Sequence, residues 1–509
     1  MVTAGDSSTK SLRQPAGQVW VGIDVGTQGV RAIAVDDAGE VRGTGKAALG
    51  RDLRVGVRHE QDPKDWWTAL CEATHALVVS IDGMPISGLA IDSTSGTLAV
   101  QAVDGSARGP ALMYDDRRAE AQTARVQELG AELWGSLGYR MQPSWALPRL
   151  VWLVEHGCVG PADQVVHQGD YLARLLVGEP VSTDTNSALK TGYDLLRDGW
   201  PHDILDQLGI PAGTLPKVVT PGTTLGTVCV EAAEQTGIPA GTPLSAGTTD
   251  GCAAQISTGA LSPGQWTTAL GTTLVVKGAT EQLLVDPDGS VYCHRNPDGG
   301  WLPGGASSSG AGVVAQLLQG RDLDDLSERL PTFPVPGFGY PLVGQGGERF
   351  PFSSSKAHQV FPSADDDAQL LATIMQSVAF VERLAYQVLN GLGADTSGTV
   401  AFSGGGTANG RWNQLRCDVL GRVVELPRSS QAALGAAVLA AAEPRRVAQT
   451  AHRMVKIDRR LTPTQDTSLR AGLDEAYAEF VAGLVQRGWV DPSRVGRPAS
   501  IEASGDEPR

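Results

Sequence analysis

The chain is poor in the features that usually announce a function. Its 509 residues include six cysteines, at positions 71, 158, 229, 252, 293 and 417, and none forms a Cys-x-x-Cys pair. That scatter excludes a disulfide framework and a thiolate zinc site, and it suits reduced thiols in the cytoplasm. None of the eight histidines stands in a His-Glu-x-x-His, which removes that metalloprotease arrangement. There is no P-loop: Gly45-Lys46 is followed by Ala47, and Glu40 occupies the place of its first glycine. Positive charge is in deficit, with 41 Lys and Arg against 56 Asp and Glu and a net charge of −15. This argues against nucleic acid or an anionic membrane as the main partner. Long apolar runs are missing too. Residues 1–17 are polar and carry Asp6, Lys10 and Arg13, unlike a signal peptide. Ala432 to Ala442 is apolar but too short to span a bilayer. The expectation is a soluble, cytoplasmic protein with no membrane role.

Glycine and threonine are what stand out, at two turns. Val21-Gly-Ile-Asp24-Val-Gly26-Thr27-Gln28-Gly lies near the start, and Thr268-Ala-Leu-Gly271-Thr272-Thr273-Leu-Val-Val lies in the second half. A Gly-Thr turn between strands exposes backbone N–H groups and a hydroxyl, which suit phosphate oxygens. Just before the second turn comes Leu244-Ser-Ala-Gly-Thr-Thr-Asp250-Gly. Asp250 could be an ordinary helix-starting carboxylate, favoured by the dipole, and each turn alone could be an ordinary hairpin. Both turns in one chain, with a carboxylate between them, suggest a two-lobed phosphotransferase closing on ATP and a hydroxylated substrate.

The length predicts two domains, and 41% apolar residues suffice for sizeable cores. Residues 18–46 read as three strands, 18–25, 30–35 and 41–44, with a turn at 36–39. Helical spacing follows over 63–79, then a short buried strand at 87–91 and helices over 119–129 and 148–155. The second half repeats the theme. A hairpin at 265–269 and 273–277 precedes strands at 292–295 and 301–303, with helices at 311–319, 367–389, 411–420 and 431–442. The division is therefore a tail over 1–17, a first lobe over 18–262, a second lobe over 263–488, and a tail over 489–509. A hinge is expected near 255–266.

In this frame Asp24, emerging at a strand end, would hold Mg²⁺ through water while Gly26, Thr27 and Gln28 approach the phosphates. Gly271, Thr272 and Thr273 would clamp them from the other side. Gly404-Gly405-Gly406-Thr-Ala-Asn409 follows Val400-Ala-Phe-Ser, and its glycines would let a flat ring or ribose lie on the backbone; a flexible loop is the plainer alternative. Gly304-Gly-Ala-Ser-Ser-Ser-Gly310-Ala-Gly312 would open a helix beneath the nucleotide. Its spacing is wrong for a dinucleotide fingerprint. Trp66, Trp67 and Trp145 read as core packing.

These residues, in this order over about 18–443, resemble the FGGY family of carbohydrate kinases, together with Glu60-Gln-Asp-Pro-x-x-Trp-Trp67. The resemblance implies an α/β fold of two actin-like, ribonuclease-H-like lobes with the active site in the cleft between them. It implies ATP-dependent, Mg²⁺-requiring phosphorylation of a sugar or polyol, with Asp250 as general base. Nucleotide and phosphate contacts fall to Gly26, Thr27, Gln28, Gly271, Thr272, Thr273, Gly310, Gly405, Gly406 and Asn409. Ala90-Ile-Asp92-Ser-Thr-Ser95-Gly-Thr looks like the cyanobacterial and plant D-ribulokinase branch, as do Asn186-Ser-Ala-Leu-Lys190-Thr-Gly-Tyr193, His294-Arg295 and Gly347-Glu-Arg-Phe-Pro351. Ser95 is then a sugar ligand. Gly251 departs from the Ser common there. Tyr114-Asp-Asp116-Arg-Arg118 resembles the xylulokinases instead and offers Asp116 as a second sugar-side residue. The expected reaction is phosphorylation of the terminal hydroxyl of a ketopentose, D-ribulose first and D-xylulose or another FGGY substrate as alternative. A non-catalytic actin-like ATPase is the rival from another class; Asp250 and the polar 93–95 segment favour the kinase.

Overall fold

In the computed structural model, which describes residues 17–50 and 52–495, the first strand explains its own position. Val19–Val25 carries Val19, Val21, Ile23 and Val25 at alternate positions, all fully buried against Trp66, Leu70 and Leu77 of the helix Pro63–Ser80. Alternate side chains point to opposite faces of a strand, so Gly22 looks the other way. There the helix Ala432–Ala441 comes so close that a Cβ on Gly22 would sit 1.8 Å from the carbonyl oxygen of Ala433. A strand covered on both faces belongs at the centre of a sheet, and Val19–Val25 lies inside a six-stranded one. Its order is Thr224–Thr227, Pro243–Thr249, Ile86–Ser93, Val19–Val25, Gly29–Val35, Val41–Ala48.

The second sheet repeats this topology. Trp266–Leu270 pairs antiparallel with Leu274–Gly278, as Val19–Val25 does with Gly29–Val35. In each sheet a third antiparallel strand follows on the outside, Val41–Ala48 or Trp301–Ala306. On the inner side each first strand has a parallel neighbour, Ile86–Ser93 or Val400–Ser403, then a second, Pro243–Thr249 or Val424–Pro427. Each sheet ends on an antiparallel strand, and the second adds Tyr292–Arg295 outside Trp301–Ala306. The duplicated meander-plus-parallel order is the two-lobed α/β architecture expected above. The expected strands and helices are present, most extended by a few residues.

Two things were not foreseen. The helix Ala432–Ala441, assigned to the second lobe by its place in the chain, packs on the first sheet. It joins Ile33, Val35 and Ala90 of the first lobe to Cys252 and Ile256 in an apolar cluster that also reaches Ala279 and Leu302 of the second. Gly435 permits its close approach to Ala253, with 2.0 Å from an added Cβ to that carbonyl oxygen. Residues 489–495, expected as tail, are also folded in: Trp489 is buried edge-on against Tyr340, and Arg494 is ion-paired with Asp286. The remainder of that tail and residues 1–16 lie outside the described residues. No helix among the described residues is long and apolar enough to cross a membrane.

Candidate active site

The two Gly-Thr turns occupy equivalent places, each closing the first hairpin of its sheet. Gly26 N–H donates to the Gly29 carbonyl at 3.0 Å, and Gly271 N–H to the Thr273 carbonyl at 3.1 Å. Gln28 and Thr272 at the tips are exposed, and Gly26, Thr27, Gly271 and Thr273 are half-buried. The Gln28 side chain at the first tip and the Thr272 hydroxyl at the second are exposed to meet a ligand, while the Thr27 hydroxyl is hydrogen-bonded to Tyr114. Gly310 serves a different purpose from the expected one: a Cβ there would lie 2.6 Å from the Thr272 carbonyl oxygen, so this glycine lets its loop pack beneath the second turn.

Asp250 is placed by backbone geometry. The strand Pro243–Thr249 runs parallel to Ile86–Ser93, with Thr248 opposite Asp92 and Thr249 opposite Ser93. It ends directly in the helix Asp250–Ile256, so the carboxylate emerges at the carboxyl ends of the parallel strands, where ligands collect in open α/β sheets. Asp250 Oδ1 accepts from the Gly251 N–H at 2.7 Å. Burial pushes its pKa up, while that hydrogen bond and the Lys190 and Lys277 ammoniums push it down. Lys190 comes from the first lobe, at the end of the helix Thr185–Leu189, and Lys277 from the second-lobe strand Leu274–Gly278. Burial brings Lys190 down to about 8, partly offset by Asp250. Lys277 lies along Gly251, and its Nζ stands 3.5 Å from Cys252 Sγ and 3.3 Å from His294 Nδ1. His294 is held well below its usual pKa, first by burial and then by the two lysines. It is therefore a neutral ring, and its buried Nε2 has no partner.

Asp24 and Asp92 lie side by side across the parallel pair of strands. Asp24 accepts from Arg31 Nη1 at 3.2 Å and is 8% exposed; burial nevertheless raises its pKa. Asp92 is wholly buried, and its carboxyl meets no donor group, only the Asp24 carboxylate with which it can share a proton. Burial, then Asp24 and Asp250, lift its pKa far above the carboxylate range. Carboxylate oxygens suit Mg²⁺, which keeps most of its waters and takes one or two protein carboxylates plus substrate phosphates. The residues fit that mode. Among the described residues no group of three or more His, Cys, Asp or Glu could cage a metal by itself.

On the sugar side the two candidates part. Ser95 has a buried hydroxyl without a partner; its neighbour Gly96 lies against Lys190, whose Cδ would be 3.5 Å from a Cβ there. The backbone next to Ser95 thus runs past the lysine that acts on the base. Asp116 departs from expectation. It is fully buried, and its carboxylate accepts from the His59 N–H at 2.7 Å, the Arg118 N–H at 3.0 Å and the Arg118 guanidinium at 2.7 Å. Arg118 also pairs with Glu60 at 2.7 Å. With its oxygens committed to this internal network, Asp116 has a structural part here.

At the nucleotide side, Gly404 takes φ +82°, and a Cβ on it would meet the Leu270 carbonyl oxygen at 2.6 Å. Gly405 has nothing within 4 Å of an added Cβ and leaves an open face, whereas Gly406 abuts the Leu270 side chain. Asn409 caps the helix Gly410–Leu420, accepting from the Trp412 N–H at 2.9 Å, and donates to Ser327 Oγ at 2.7 Å. One acceptor and one donor position of its amide thus shape the loop, and one of each is left over. Sequence reasoning passed over Lys277 and Cys252, and it noted Asp92, Lys190 and His294 only as parts of longer segments.

Comparison with known proteins agrees with this layout. Residues 19–257 match the N-terminal domain of the FGGY family of carbohydrate kinases, and residues 267–443 match its C-terminal domain. A xylulose kinase of Streptomyces rubiginosus is 30% identical over 447 residues, covering 84% of this chain and 88% of that one. An autoinducer-2 kinase of Enterobacter sp. (strain 638) is 26% identical and covers 94% and 98%. The crystal structure of xylulose kinase from Rhodospirillum rubrum superposes with a TM-score of 0.81 at 23% identity, over 92% of this chain and 99% of that one. At that identity the likeness speaks for the fold.

Proposed function

Since the chain belongs to the FGGY family of carbohydrate kinases and is an ATP-dependent sugar kinase, we propose that its substrate is a ketopentose, phosphorylated on a terminal hydroxyl. The observation that carries this reading is that a lysine from each lobe, Lys190 and Lys277, acts on the buried Asp250 carboxylate, with unpaired polar groups on the segments that hold them. Ser95 Oγ and His294 Nε2 are buried without partners, and Lys190 and Lys277 face the same carboxylate. Buried polar groups are nearly always hydrogen-bonded, so the unpaired Ser95 hydroxyl and His294 nitrogen are suited to a small polyhydroxylated ligand.

In the proposed reaction Asp250, ionised, accepts the proton of the sugar hydroxyl as its oxygen attacks the γ-phosphorus of ATP and ADP departs. The transition state is loose, so positioning and charge neutralisation carry most of the rate. Thr27 and Gln28 on one lobe and Thr272 and Thr273 on the other hold the phosphates. Gly405 gives the nucleotide a flat floor. Asp24, with Asp92 beside it, would hold Mg²⁺, which would supply neutralisation of the phosphate charge. Closure of the lobes excludes water from the reacting phosphoryl group.

The xylulose kinases among the relatives make D-xylulose the first substrate to test. D-Ribulose is the second reading, favoured by the Asp92–Gly96 segment. The two ketoses are epimers at one carbon, and the choice rests on one or two hydrogen bonds. ADP formation in a coupled assay with D-xylulose, D-ribulose, glycerol and gluconate tests both readings. Higher kcat/KM for a ketopentose than for glycerol or gluconate is the expected result; no sugar-dependent ADP with any of them would refute the proposal.

A further inference from the structure

A cavity of about 270 Å³ lies away from Asp250, at the junction of the two lobes. Thr185, Asp198 and Thr220 line it from the first lobe, and Arg295, Asn296 and Arg445 from the second. We propose that this cavity is a binding site for a phosphoryl group, carried by inorganic phosphate or by a small phosphate monoester. It goes beyond the sugar-kinase reading and does not depend on it.

The first support is the inventory of donors. Arg445 is exposed, and no hydrogen bond or ion pair engages its guanidinium among the described residues. Arg295 stacks 4.1 Å over the Trp301 ring and donates from Nη2 to the Leu195 carbonyl at 2.7 Å, which leaves Nε and Nη1 free and the group fixed in direction. The Thr185 hydroxyl is buried without a partner. A guanidinium has only donors, and two of them with a hydroxyl suit a tetrahedral oxyanion better than any neutral ligand. Two carboxylates share the lining, Asp198 acting on Arg295, and each accepts hydrogen bonds of its own. Asp198 accepts from Tyr193 Oη at 2.9 Å. Asp298 accepts from the Val447 and Ala448 N–H groups at 2.7 and 2.6 Å.

Backbone conformation gives a second, independent support. Only three non-glycine residues among those described adopt positive φ, and two of them, Asp198 at +55° and Arg445 at +60°, line this one cavity. Such conformations cost about 1–3 kcal/mol each and tend to gather at ligand sites.

The cavity also has a physical route to the catalytic centre. Successive residues of a strand face opposite ways. In Tyr292–Arg295, His294 faces Lys277 while Arg295 faces the cavity. The Arg295 N–H donates to Asn186 Oδ1 at 2.9 Å, and Asn186 Nδ2 donates to Thr248 Oγ1 at 3.1 Å, two residues before Asp250.

The test is a titration of the full-length protein with inorganic phosphate, followed by thermal unfolding against KCl of equal ionic strength. Wild type should show a saturable rise in Tm, about 1 °C once phosphate exceeds its Kd roughly tenfold and growing with each further tenfold. Arg445→Gln and Thr185→Val should each weaken the apparent affinity by about tenfold, the scale of one lost charged or buried hydrogen bond. Thr272→Ala and Asp250→Asn should leave it unchanged, which separates this site from the nucleotide turns and from the kinase reading. Arg445 is exposed, so Arg445→Gln should fold normally. A parallel titration with glycerol 2-phosphate distinguishes a monoester from the free ion by which binds more tightly. No phosphate-dependent shift in wild type, an unchanged response in both cavity variants, or a response lost in Thr272→Ala would each overturn the proposal.

Discussion

Asp92 stands directly across a parallel strand pair from Asp24, and its buried carboxyl meets no donor, only the Asp24 carboxylate. Two carboxylates so placed repel one another unless a proton or a cation lies between them. Asp92→Asn should therefore leave the fold intact and raise the Mg²⁺ concentration needed for half-maximal rate several-fold at fixed ATP. Initial rates against Mg²⁺, with Mn²⁺ binding followed by electron paramagnetic resonance as a second readout, check this. An unchanged Mg²⁺ requirement would leave Asp92 without a part in holding the ion.

Asp250→Asn should keep folding and ATP binding and lose about 10²–10⁴-fold in kcat, the usual cost of removing a general base. Steady-state rates together with nucleotide binding by calorimetry decide it. A variant with near-normal kcat removes Asp250 from the chemistry.

The pH profile should be bell-shaped. Asp250 works ionised, so activity falls as pH drops through its raised pKa. Lys190, brought down to about 8, loses its charge as pH rises through that value, and activity falls again. Lys190→Met takes away a cation that favours the Asp250 carboxylate. The acidic limb should move to higher pH and the alkaline limb should fade. A profile of kcat/KM with unmoved limbs contradicts the assignment.

Thr27→Ala combined with Thr272→Ala should raise KM for ATP more than KM for the sugar, since each hydroxyl sits on one of the two exposed turns. The reverse pattern would place the phosphates elsewhere.

Gly22→Ala tests the seam between the lobes. The added methyl would meet the Ala433 carbonyl oxygen at 1.8 Å, a contact that only a shift of strand or helix can relieve. Overpacking of this kind costs about 1–3 kcal/mol. Denaturant unfolding should show the loss, and full stability would mean that the helix Ala432–Ala441 yields easily.

Much of this was legible in the sequence because it is written locally. A Gly-Thr turn between two apolar runs declares a hairpin wherever it occurs, and Asp250, between a short strand and a helix, carries its exit point with it. The partners of Asp250 are written differently. Lys190 follows a five-residue helix with no periodicity to read, and Lys277 looks like any residue of its strand. Only the pairing of Trp301–Ala306 with both Leu274–Gly278 and Tyr292–Arg295 brings Lys277 and His294 to one face. Asp116 misled for the converse reason. Its aromatic-x-Asp-x-Arg setting is local, but whether the carboxylate faces a sugar or its own Arg118 is decided by the fold around Glu60 and His59. The helix Ala432–Ala441 was recognised as a helix of the second half, but its packing on the first sheet was not legible, since a helix apolar all round has no polar face to orient it.

The packing of that helix has a consequence for how the chain is made. The six strands of the first sheet have all been synthesised by Thr249. The face carrying Gly22, Ile33 and Val35 is not covered until Ala432–Ala441 emerges. While the second half is being translated, the first lobe waits on the ribosome with an apolar surface open to water, and its last folding step belongs to the far end of the message. Premature termination anywhere before residue 432 should thus yield a sticky fragment in place of a small stable domain.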